Sequence, residues 1–97
     1  MTLKLTVAVL ALAIASPALA TGKMTCSAKP ETHKPIEALT AALTKQGWDV
    51  RKAKPDGGCY EVYGTTPEGD RVEAYFDPVS FEKLIVSRRG EVLYKKP

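Results

Sequence analysis

Glu61, Tyr63, Arg71, Glu73 and Tyr75 place two carboxylates, two phenols and a guanidinium at alternating positions of one short stretch. That stretch, Gly57 to Pro78, reads GGCYEVYGTTPEGDRVEAYFDP and also holds Cys59, Tyr60 and Asp77. Two chemistries suit such residues. Glu61, Glu73 and Asp77 have the side chains for paired acid–base work. Tyrosines set among charges are also what a protein-binding surface uses. A hydrolase further needs a nucleophile, a base beside it and a group that orients the base. The single histidine, His33, lies in a polar segment far from these carboxylates. No Gly-x-Ser-x-Gly elbow, His-Glu-x-x-His helix or phosphate-cradling glycine loop occurs. The carboxylates therefore read as balanced by Arg51 and Arg71, and the chain is not expected to be an enzyme. One histidine and two cysteines without a recognised spacing supply no metal site, and no cofactor is expected. Tyr63 and Tyr75, with Glu61, Arg71 and Glu73 around them, are the candidate protein-binding residues.

These residues need strands to hold them. Cys59 to Thr65 alternates, with Tyr60 and Val62 on one face and Cys59, Glu61 and Tyr63 on the other. Arg71 to Asp77 alternates more cleanly: Val72, Ala74 and Phe76 point one way and Arg71, Glu73, Tyr75 and Asp77 the other. Trp48 to Ala53 begins the alternation, and KPDGG and TPEGD read as turns. Leu84 to Val86 marks a fourth strand, Arg89-Gly90 a turn and Val92 to Tyr94 a short fifth. Upstream, Pro35 suits a first helical turn, Ile36, Leu39 and Leu43 recur at helical spacing, and Gly47 is a natural stop. The expected fold is α+β: one N-terminal helix, about Pro35 to Gln46, packed on an antiparallel meander of three to five strands. The opposite sheet face, carrying Glu61, Tyr63, Arg71, Glu73 and Tyr75, is expected to be wet. The expected core is Ile36, Leu39, Leu43, Trp48, Val50, Tyr60, Val62, Val72, Ala74 and Phe76.

The first residues give an address. Met1 to Ala20, MTLKLTVAVLALAIASPALA, has Lys4, an apolar run from Leu5 to Ala15, a break at Ser16-Pro17 and small residues at Ala18 and Ala20. That order is a secretory signal peptide. The apolar run is short of the roughly 20 residues a membrane span needs. Cleavage after Ala20 leaves no stable membrane anchor and a periplasmic protein beginning at Thr21. The expected organisation is residues 1–20 as leader, 21–34 as an extended lead-in and 35–97 as one domain. An oxidising compartment and only two cysteines point to a Cys26–Cys59 disulfide. A redox-active pair would show the close Cys-x-x-Cys spacing, which is missing. The whole chain has 14 basic and 11 acidic residues, and removing Lys4 with the leader leaves 13 against 11. That balance is too mild for nucleic-acid binding. Arg88-Arg89 and Lys95-Lys96 are small clusters that read as solvated surface.

The helix followed by GWDVRKAK, GCYEVYG and GDRVEAYFDP, behind an export signal, resembles the small periplasmic PepSY-domain proteins. The resemblance runs from about Ile36 to Pro78, and CYEVY and RVEAYFDP are its most specific parts. Members of that family commonly follow the Asp-Pro with a Thr-Gly turn and a last short strand. Here Phe81 stands where the turn glycine would, so the resemblance leaves the strand register beyond Pro78 open. It implies a helix on an antiparallel sheet and a role in binding or inhibiting peptidases. The expected function is a non-catalytic periplasmic binding or regulatory module, a peptidase inhibitor or modulator, whose partner is an exported or envelope protein such as a peptidase. The alternative is an accessory protein for metal or redox processes in the cell envelope, since PepSY domains also occur in membrane proteins tied to iron reduction.

Overall fold

The computed structural model describes residues 23–97. The expected leader at residues 1–20 lies outside them. In chain order the described elements are a 3-10 turn at Pro30–Thr32, helix α1 at Ile36–Lys45, and strands β1 (Asp49–Asp56), β2 (Cys59–Thr65), β3 (Arg71–Phe76), β4 (Lys83–Arg88) and β5 (Glu91–Lys95). All four strand pairs are antiparallel, and the sheet order is the chain order, β1-β2-β3-β4-β5. The fold is thus a helix with a five-stranded antiparallel meander. The lead-in is not wholly extended, because Pro30–Thr32 turns and Thr32 Oγ1 donates to the Lys29 carbonyl at 2.6 Å.

Helix α1 is too short to persist alone in water. It forms because Leu39 and Leu43, one turn apart, both find cover against the sheet. The face they meet holds Tyr60, Val62, Val72, Ala74, Phe76 and Val86. Trp48 closes the edge of this core, its ring edge-on to Phe76 at 5.8 Å. Ile36 and Val50 sit at its margin, half-buried. The expected core therefore lies where the alternation put it, with Val86 and half-buried Ala53 and Phe81 added from outside that set.

KPDGG is not a five-residue turn. β1 runs on through Lys54, Pro55 and Asp56, and only Gly57-Gly58 turns, with φ of 62° and 85°. Asp56 then faces Cys59 in the tightest class of hairpin. Pro55 is tolerated in a strand because β1 is an edge of the sheet.

At the β3–β4 connection, Asp77 Oδ1 accepts from the backbone N–H of Val79 at 2.8 Å and of Ser80 at 2.9 Å. Phe81 follows with φ of 64°, so it keeps the left-handed conformation that favours glycine. Its side chain packs against the core, with Lys34 Nζ 5.6 Å from the ring centre. Beyond it the register is fixed: Tyr75 pairs with Ile85, Ala74 with Val86, and Val86 in turn with Tyr94.

Candidate binding site on the outer sheet face

The five candidate residues do share one face, away from α1. Glu61 pairs with Tyr75, Tyr63 with Glu73, and Thr65 with Arg71 across the β2–β3 ladder. The expectation that this whole face is wet is overturned. Tyr75 is 1% exposed and Glu61 3%. The cover comes from the lead-in. Met24 and Cys26 pack with Cys59, Tyr75, Ile85 and Leu84 in a second apolar cluster. Cys26 and Cys59 form the expected disulfide, with S–S 2.08 Å and Cα atoms 5.0 Å apart. The Cys26 N–H also donates to the Gly57 carbonyl at 2.8 Å. A side chain at Gly58 would run into the Cys26 carbonyl oxygen, so the bare hairpin is what lets the strap lie flat. Polar residues with alternating spacing looked solvent-facing because strand periodicity marks two faces without saying what covers the second.

Under the strap the polar groups are satisfied. The Tyr75 hydroxyl donates to Asp56 Oδ2 at 2.5 Å, and Lys54 Nζ stands 3.8 Å from Glu61 Oε1. The hydrogen bond from Tyr75 holds the Asp56 carboxyl below the usual carboxylate range. Burial first, and then hydrogen bonding to Asp56, pushes the Tyr75 phenol up. Burial, then the adjacent Glu61 carboxylate, raises Tyr63 to about 12. Both phenols are poorer acids than free tyrosine, the reverse of what an activated phenolate requires. Asp77 is also held low, chiefly by the Ser80 N–H, and serves the β3–β4 turn. His33, in the polar lead-in, is half-buried, with Nε2 3.1 Å from the Ala28 carbonyl oxygen and its ring edge-on to Tyr60 at 6.0 Å.

The other half of the outer face is open. It forms a depression of about 210 Å³ bounded by Arg51, Arg71, Arg88 and Arg89. The Tyr63 ring, Glu73, and buried Ser87 contribute to its wall. Of the five candidates, Tyr63, Arg71 and Glu73 therefore line this depression, while Glu61 and Tyr75 lie under the strap.

Sheet irregularities bring the arginines together. Register shifts between Val50 and Lys52, which leaves Arg51 as the extra residue of a bulge. A bulge bends its strand and re-aims the side chain it carries. Gly64, opposite Val50, makes the bulge possible, because a side chain there would strike the Asp49 carbonyl oxygen. Arg89 occupies a left-handed position, φ 51°, in the two-residue turn with Gly90. Arg88 is anchored, its Nη1 donating to Asp70 Oδ1 at 2.8 Å and its Nη2 3.6 Å from Glu91. Among the described residues Arg51, Arg71 and Arg89 have no carboxylate within 4.0 Å. Sequence reasoning singled out Arg71 but took Arg51 as a counter-charge and Arg88-Arg89 as solvated surface. Alternating strands carry no mark of a bulge except the buried Gly64, so the convergence was not visible.

What the fold and this face define is a small α+β module with a disulfide-strapped sheet and one open, arginine-rich depression. A family model described as peptidase propeptide and YPEB domain matches residues 4–88, and the chain belongs to this PepSY family. No curated protein and no solved structure matches the chain.

Proposed function

We propose that the protein is a non-catalytic binding module of the cell exterior or periplasm that regulates an exported peptidase. The observation that carries this is the open half of the outer sheet face, where Tyr63, Arg71 and Glu73 meet in a concave, charged surface. Membership of a family described by peptidase propeptides supports a peptidase as partner. The Cys26–Cys59 disulfide supports an oxidising compartment, in keeping with the export signal expected at residues 1–20. A catalytic role lacks support, since the phenols are held protonated and His33 contacts backbone. The envelope metal or redox alternative also lacks support: both cysteines are bonded to each other, and no group of three or more metal-binding side chains gathers among the described residues.

The test adds purified protein, residues 21–97, to secreted and periplasmic peptidase fractions and follows cleavage of a fluorogenic casein substrate. Stoichiometric change in one fraction, weakened by a Tyr63→Ala, Arg71→Ala double variant of unaltered melting temperature, is the expected result. Unchanged cleavage in every fraction overturns the regulatory role.

A further inference from the structure

We infer that the arginine-lined depression is a carboxylate-binding site, built to take an acidic side chain of a partner peptide. The inference rests on the binding-module reading and adds the chemistry of what is bound. Four arginines, from β1, β3, β4 and the β4–β5 turn, line a single cavity, against one carboxylate, Glu73, in its lining. Opposite charges across neighbouring strands stabilise a sheet, and like charges directly opposite destabilise it. Here only Arg88 is matched, by Asp70 and Glu91. That pairing holds the Arg88 stem in place and leaves three guanidinium groups with unspent hydrogen-bond donors. Guanidinium is the side chain whose planar fork matches a carboxylate in two parallel hydrogen bonds.

The backbone is bent to the same end. Arg51 reaches the cavity from a bulge that depends on Gly64, and Arg89 from a left-handed turn residue that is not glycine. Two separate departures from regular strand geometry thus deliver charge to one place, where bulges commonly serve to re-aim a side chain. The cavity, about 210 Å³, is smaller than the pockets of roughly 300–1,000 Å³ that bury whole small molecules. It has room for one side chain of a longer partner. The wall to which half-buried Tyr63 and buried Ser87 contribute suits the aliphatic stem of a glutamate, with its carboxylate among the arginines.

The measurement is amide chemical-shift titration of the ¹⁵N-labelled disulfide-bonded protein, residues 21–97. The probes are the blocked peptide Ac-Gly-Glu-Glu-Gly-NH₂, its Gln-for-Glu counterpart, inorganic phosphate, and vesicles of phosphatidylglycerol. Saturating shifts at Gly64, Ser87 and Arg89 with the Glu peptide, and not with the Gln peptide, are expected. An Arg51→Gln, Arg71→Gln variant should weaken that binding by at least about tenfold, because truncated anchors dominate binding energy. Arg89→Gln alone should weaken it less, and gives a second reading if the double variant melts early. Equal response to the Gln peptide, shifts elsewhere on the surface, or no loss in a folded Arg51→Gln, Arg71→Gln variant overturns the site. Saturation by phosphate or vesicles with no response to the Glu peptide overturns the peptide carboxylate in favour of a phosphate ligand. Peptidase regulation that survives in the folded double variant leaves the binding module standing and sinks only the carboxylate site.

Discussion

Tyr63 and Tyr75 occupy equivalent-looking positions in the sequence and have opposite fates in the fold. Both project from the outer sheet face, yet Tyr75 lies beneath the lead-in while Tyr63 is half-exposed at the edge of the arginine depression. Both were expected on a wet face, and burial of Tyr75 overturns that for one of them. Tyr75→Ala should cost about 3–5 kcal/mol in urea unfolding, the range for deleting a buried aromatic. Tyr63→Ala should cost less than half as much, so it alone serves as a surface probe. Asp77 is a residue whose charge matters to the fold. Its folded-state pKa is depressed by the N–H groups of the turn that follows. The unfolded chain therefore binds its proton more readily. Its contribution is fully present above the unfolded value of about 3.9 and is lost as pH falls through the lower folded value. The stability difference between wild type and Asp77→Asn should persist at pH 5 and shrink below about pH 4, read from melting temperatures. A difference that grows in acid would contradict this assignment.

At the scale of elements, the strap is the feature on which most depends. Met24 and Cys26 cover a sheet face that would otherwise expose Tyr75 and Ile85. The bond to Cys59 spans 33 residues of chain. Closing such a loop restricts the unfolded chain by about 3–4 kcal/mol in the chain-entropy account. A Cys26→Ser, Cys59→Ser variant should therefore lose a large share of the stability of so small a domain, seen as a lowered midpoint in urea. The outer cluster should also loosen, with faster amide exchange at Tyr75 and Ile85 than at Val62 on the helix side. Equal exchange on both faces would show that the strap holds without its covalent bond. The β3–β4 loop makes a smaller point. Phe81 accepts a left-handed backbone and still packs on the core, and β4 beyond it pairs with β3, Tyr75 facing Ile85 and Ala74 facing Val86.

The whole molecule is a three-layer arrangement in which one sheet is covered twice, by α1 on one face and by the lead-in on half of the other. The helix layer carries most of the apolar burial. Leu39, 1% exposed, should cost about 2–5 kcal/mol when changed to Ala, measured by urea unfolding. That experiment separates the layers, because Leu39 touches only the inner core. The uncovered half of the outer face gathers four arginines around one depression, in contrast with the mild charge balance of the chain as a whole.

The order of elements, the inner core and the disulfide partners were all legible in the sequence. Strand alternation and helical spacing are local, and two cysteines allow one intramolecular pairing. The face shared by Glu61, Tyr63, Arg71, Glu73 and Tyr75 was legible for the same reason. Which half of that face is open was decided only in three dimensions, by a lead-in without periodicity that a single bond pins across the sheet. The arginine depression was decided there too. Arg51, Arg71 and the Arg88-Arg89 pair are distant in sequence, and a bulge, a glycine opposite it and a left-handed turn residue bring them together. Periodicity records which side of a strand a residue takes, whereas the convergence of side chains from four segments depends on departures from that periodicity.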